Sequence, residues 1–179
     1  MNFFLKFFIT LFIFFFIVNA QSEEKLYYLD VDKILNNSKA GISIKNQLDQ
    51  LYIENSNKLK KQQDVLKKRE LSLKTQKNLL KNDEFNKILQ QLKVDINNFN
   101  KANKEKLNLI EKIKLNATNK LMNEVKIILI EFSDKESISI VVEKKSIIIG
   151  KTELDLTDDV LVIIDKKIQS IKLDKWQIH

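Results

Sequence analysis

The sequence predicts an α+β protein, a small β-rich oligomerisation body from which a long antiparallel α-helical hairpin protrudes. Three observations predict it. Residues 42–132 contain neither glycine nor proline, in a 179-residue chain that has two glycines and no proline, so the stretch reads as long uninterrupted helix. That stretch holds nineteen Lys/Arg against eleven Asp/Glu, a net of +8, while residues 21–41 and 133–179 each carry −1. Runs of β-branched and aromatic residues lie in those two near-neutral ends.

The helical reading of the middle rests on spacing. Apolar residues recur at three- and four-residue steps from Leu48, Leu51 and Tyr52 through Phe85, Leu89, Leu92, Ile96 and Phe99 to Leu121, Val125, Ile128 and Phe132. Within "LKKQQDVLKKRELSLKTQKNLLK", residues 59–81, a Leu-Lys pair returns every seven residues: Leu59-Lys60, Leu66-Lys67, Leu73-Lys74, Leu80-Lys81. On a helix the leucines form one stripe and the lysines a second, about 100° round the cylinder. Residues 59–81 hold eight basic side chains against Asp64 and Glu70, most of the chain's net +7.

As one rod this region would reach about 135 Å, and folded back about 60 Å. The break is expected in "LLKNDEFNKIL", where Asn82 and Asp83 are good N-cap residues and Glu84 puts an acid in the following first turn. Two antiparallel limbs are therefore expected to meet near residues 81–84, making residues 42–132 a hairpin arm. The seam between them is expected to be thin, because Gln62, Arg69 and Gln76 fall at the heptad positions that should partner the leucines. Such an arm is soft.

At the ends, "KLYYLDVD" (25–32) and "SISIVVE" (137–143) read as strands, with "SIIIG" (146–150) as a third after a turn at Lys144-Lys145. "LDLTDDVLVIIDKKI" reads as a helix with Thr157 as N-cap and Asp158 and Asp159 in its first turn. A hairpin returns its two ends to one place, so the first strand can pair with the later ones. A body made of residues 21–41 and 133–179 is small for an independent core, and oligomerisation is expected.

Residues 1–20, "MNFFLKFFITLFIFFFIVNA", have a basic start at Lys6, an apolar run from Phe7 to Val18, and Val18-Asn19-Ala20 before Gln21. This pattern predicts a signal peptide and export. An uncleaved anchor is the rival, but the twelve-residue run is short for about 30 Å of hydrocarbon. With no cysteine there is neither a disulfide framework nor a thiolate metal site. His179 has no second histidine to pair with, and no Ser-His-Asp set, phosphate loop or metal spacing occurs, so no catalytic residue, metal site or cofactor is expected. Asp30 and Asp32 alternate faces of a strand and read as strand-end and capping residues. Nucleic acid is not expected as a partner, since residues 53–84 contain no aromatic to stack bases and export removes the ligand.

"LYYLDVDKILNNSKAG", with Asp30, Ile34, Leu35 and Ala40-Gly41, a long charged helical region, and "ISIVVEKKSIIIGKTELDLTDDVL", with Val141-Val142 and Asp155-Leu156-Thr157-Asp158, resemble the Skp (OmpH-like) family of periplasmic chaperones. The chain departs from that pattern in Ile147, Ile148 and Ile149, where the family often has an aromatic, and in the added tail "SIKLDKWQIH". The resemblance implies a homotrimer whose arms surround a cavity that holds unfolded outer membrane proteins without ATP. The positive arm suits acidic clients and, as further partners, anionic lipid or lipopolysaccharide. Lys60, Lys67, Lys68, Arg69 and Lys74 on the first limb and Lys101, Lys104 and Lys112 on the second are the candidate contact residues. The alternative functional class is a structural periplasmic coiled-coil subunit or adaptor of an envelope complex, in which the Leu-Lys repeat is simply a solvated face.

Overall fold

The computed structural model describes residues 25–174; the expected signal peptide and the last five residues lie outside the described residues. Strand β1 (Leu26–Leu29) leads into helix α1 (Val31–Asn37), then α2 (Lys39–Gln76), α3 (Asn82–Glu136), strand β2 (Ile140–Glu143) and helix α4 (Thr157–Lys167). Single 3-10 turns at Lys144–Ser146 and Thr152–Leu154 link β2 to α4. The α+β class is as expected, with helix dominating.

β1 and β2 pair in parallel, with Leu26 opposite Ile140 and Leu29 opposite Glu143. Parallel neighbours need a crossover, and here the crossover is the entire α2–α3 hairpin. The expected third strand does not form. Residues Lys144–Ser146 wind into a 3-10 turn instead, and Ile148 and Ile149 project into solvent at 98% and 90% exposure. Among the described residues the sheet stops at two strands, β1 and β2.

The core lies where the hairpin's open end meets the strands. Leu29, Ile34, Ile44, Leu48 and Leu51 pack against Ile110, Ile113, Leu121, Val125 and Ile128, and Val160 and Ile164 close it from α4. The last described residues also belong to it: Ile171 and Leu173 are buried, and the Gln47 amide brackets the backbone between them, donating to the Ile171 carbonyl (2.7 Å) and accepting from Leu173 N–H (3.2 Å). The tail is thus strapped to α2.

α1 and α2 are joined by one residue, Ser38. Its N–H donates to the Ile34 carbonyl, ending α1, and its buried hydroxyl accepts from Gly41 N–H (3.0 Å), capping α2. The turn is so tight that a Cβ on Gly41 would lie 1.9 Å from the Leu35 carbonyl oxygen.

At the far end α2 stops at Gln76, and residues 77–81 turn through amide donations from Leu79 and Leu80 to the Gln76 carbonyl. The N-cap of α3 is Lys81, with no side-chain cap bond. Asn82 and Asp83, expected as caps, already lie inside the helix because Phe85 N–H bonds back to the Lys81 carbonyl. Asp83 and Glu84 still sit favourably in the positive first turn. Replacing Lys81 with Asp is therefore expected to supply the missing acceptor and stabilise the arm tip by about 1 kcal/mol. Hydrogen exchange at residues 83–86 checks this; unchanged protection rules it out.

Candidate functional site

Two regions carry the polar chemistry, a clasp at the arm's base and the arm itself. The clasp joins motifs more than a hundred residues apart. Asp30 Oδ1 accepts from Lys33 N–H (2.9 Å) and caps α1, while Asp30's own N–H donates to Thr157 Oγ1 (2.9 Å). The Thr157 hydroxyl donates to Asp155 Oδ1, which also accepts from Thr157 N–H (3.0 Å). Thr157 is therefore not the N-cap, which is Leu156, but the first helical residue, turned inward to satisfy β1. Lys144 completes the group, 3.2 Å from Asp155 Oδ2 and 3.5 Å from Asp30 Oδ2, and the Tyr28 hydroxyl ties down the loop by donating to the Lys151 carbonyl (3.2 Å).

Burial pushes the Asp155 carboxyl up, but the two bonds from Thr157, and then Lys144, outweigh it and hold the group below the usual 3.8. A depressed carboxyl adds stability that is complete above the unfolded pKa and is lost as pH falls through the folded one. The melting temperature should accordingly fall with acidification below about pH 4, and less steeply in Asp155→Asn, which carries no such group. Parallel slopes for the two proteins would exclude this linkage. The Lys144 ammonium is held above its ordinary range, first by its bond to Asp155.

The lysine row of α2 faces away from α3. Leu73 is buried and Leu59, Leu66 and Leu80 are half-buried against the second limb, so Lys60, Lys67 and Lys74, one residue on, lie exposed on the outer side. Lys68 lies a further step round. On α3, Lys101 and Lys112 sit opposite the buried stripe with Lys104 on its flank. The eight candidate cations therefore form no single patch: the seven lysines make two rows on opposite outer faces, and Arg69 turns toward the seam. Three are paired as well. Arg69 crosses the seam to Asp95 (2.6 Å), Lys74 bonds to Glu70 (2.8 Å), and Lys101 lies 4.0 Å from Glu105. Among the described residues Lys60, Lys67, Lys68, Lys104 and Lys112 form no ion pair, leaving their charge open to partners.

The seam itself is uneven. From the base, continuous burial ends at Leu51 and Ile110; toward the tip, Leu73 and Leu92 are buried. Between them lie the buried Asn55 and the half-buried Asn103, whose Oδ1 is buried and accepts no hydrogen bond from the protein. Gln62, Arg69 and Gln76 are exposed at the rim, not enclosed in the seam. Two polar ties bracket the soft stretch. The Tyr52 hydroxyl donates to Glu111, which raises its pKa to about 12, and Asp95 takes both Gln91 and Arg69, which hold its carboxyl below the usual range. On one side the limbs separate into an open cleft of about 500 Å³.

Asn55, Asn103 and Lys144 escaped the sequence reading. Asn55 continues the Leu48-Leu51 step by four residues, and Asn103 follows Phe99 by four, so spacing alone places both on the seam. No comparable signal marks Lys144.

A family model described as outer membrane protein (OmpH-like) matches residues 25–164. The crystal structure of an OmpH-like protein from Caulobacter crescentus superposes with a TM-score of 0.78 over 87% of this chain and 92% of that one, at 14% identity. At that identity the likeness is one of fold. No protein of curated function matches the sequence. The family match covers β1, the whole hairpin, β2 and most of α4, including every residue of the clasp. The chain belongs to the OmpH-like family.

Proposed function

We propose that this protein is an ATP-independent periplasmic holdase that binds unfolded outer membrane proteins between the arms of a homotrimer and keeps them soluble on the way to the outer membrane. The observation that carries the reading is the arm: two helices of 38 and 55 residues whose distal seam buries few side chains. A surface that must accept many apolar sequences needs non-directional contact and room to adapt, and a thinly packed hairpin supplies both. The body supports assembly. Its sheet has two strands, and Leu26, Ile140, Ile148 and Ile149 stand exposed around it, an apolar surface that further copies would cover.

The test is whether the purified mature chain keeps a urea-unfolded β-barrel protein soluble after dilution, without nucleotide. Aggregation at the rate seen without the protein overturns the proposal and favours a structural subunit. Lys60, Lys67 and Lys68, free on the outer face, are proposed to draw in acidic clients and anionic lipid or lipopolysaccharide. Replacing the three with Gln is expected to preserve helicity while slowing client capture severalfold at low salt and flattening its salt dependence. An unchanged salt slope removes these residues from the binding surface.

A further inference from the structure

We propose that the cleft halfway along the arm is a docking site for an extended, acidic polypeptide segment, which inserts one bulky apolar side chain between the two limbs. The inference rests on the chaperone reading above and assigns it a place on the chain. Val65 and Leu66 of α2 and Phe99 and Ala102 of α3 line the cleft, and Val65 is 56% exposed although it faces apolar neighbours. A space of about 500 Å³ is of the size that holds a small ligand, enough for an aromatic or leucine side chain and the backbone on either side of it.

The rim selects the occupant. Its one carboxylate, Asp95, is already held by Arg69 and Gln91, while Lys61 forms no ion pair among the described residues, so the charge left open is positive. An acidic segment complements it. The other polar groups are neutral amides, Gln62 and Asn98, and one turn beyond Phe99 the buried Asn103 Oδ1 accepts no hydrogen bond. Amides that donate and accept match a peptide backbone, whatever its sequence, better than they match a phosphate. That oxygen can accept from a backbone N–H. Reaching it requires the limbs to part slightly, and Leu59 and Leu66, half-buried, resist that less than a closed seam would. One inserted side chain, a satisfied buried acceptor and a cation beside an acidic residue together describe an anchor that reads chemistry rather than sequence.

The probes are two short fluorescein-labelled peptides of alternating polar and apolar residues with flanking aspartates, identical except for Phe or Ser at the centre, titrated by anisotropy with the full mature chain. Wild type is expected to bind the Phe peptide about tenfold tighter, the worth of one well-buried apolar side chain. Ala102→Phe fills the cleft from its exposed rim, and Val65→Ser removes one apolar wall. Each should bring the Phe peptide to the level of the Ser peptide, with circular dichroism and solution mass unchanged. A preference that survives both variants, or its absence in wild type, overturns the proposal. So does binding of phosphatidylglycerol vesicles that both variants abolish while neither peptide binds, which would make the occupant a lipid. Retention of an unfolded β-barrel protein, measured in parallel, separates the two readings. If wild type retains the client and the variants keep the peptide preference, only the cleft assignment fails; if wild type retains no client, the chaperone reading fails.

Discussion

Gly41→Ala is expected to be among the most damaging single methyl groups that can be added to this protein, lowering its stability by roughly 3 kcal/mol or more. Two effects compete. Alanine is about 1 kcal/mol better than glycine inside a helix, and Gly41 lies in the first turn of α2, so propensity alone favours the change. The new Cβ, however, would stand 1.9 Å from the Leu35 carbonyl oxygen and 2.7 Å from its carbon. Both are backbone atoms of α1, so no side chain can rotate out of the way. α1 would have to shift against α2, opening the contacts of the fully buried Ile34 and loosening the Ser38 cap. The clash wins. Gly150→Ala is the control, because its added carbon meets the edge of the Tyr28 ring at 3.0 Å, and a ring can give way. Thermal melts at one fixed protein concentration check the pair. A Gly41→Ala protein melting at or above wild type would show that the joint is slacker than described.

Thr157→Val is the second large effect. Valine keeps the shape and the branch, so packing at the start of α4 is preserved, and what is lost is polar. The Asp30 N–H loses its acceptor and Asp155 loses a donor at a site where Thr157 is 1% exposed. Leaving the Asp30 N–H unpaired, and Asp155 with only the residue-157 N–H and Lys144, costs about 2–3 kcal/mol. Thr157→Ser retains both bonds and is expected to keep most of the stability. Chemical denaturation of the two variants, with a double-mutant cycle against Lys144→Met, measures the clasp as a unit; strict additivity would mean that Lys144 and Thr157 act separately.

How much of this could be read from the sequence depends on whether the governing interaction is local. The hairpin's helices were legible because period and composition act within a few turns, and the Leu-Lys repeat correctly put leucines inward and lysines outward on α2. The repeat could not say that Lys101 and Lys112 would end on the opposite face, because that depends on how one limb lies against the other. Nor could it show Arg69 reaching Asp95. "SIIIG" has every local mark of a strand, yet a strand needs an edge, and an edge is a tertiary fact. Thr157 likewise has the composition of a cap, but an acceptor for Asp30 N–H was needed from 127 residues away, and its hydroxyl went there. The site was least legible where function is proposed, since a cleft between limbs is defined by what two helices fail to fill.

The parallel sheet also constrains how the molecule comes into being. Leu26 pairs with Ile140, 114 residues later, so β1 leads the described chain and has no strand to join until nearly all of the rest has been made. Closing so long a loop is entropically unfavourable unless the intervening chain has already shortened the distance. The hairpin does that. Contacts between α2 and α3 near residues 73 and 92 span only a tight bend, and zipping from there toward Leu51 and Ile110 would deliver the two strands side by side. Assembly should therefore proceed from the arm's tip to its base, with the sheet and the Thr157 clasp last. Throughout that interval "LYYL" is a bare, sticky strand, so the stretch that ends up paired in the sheet spends longest exposed to other chains.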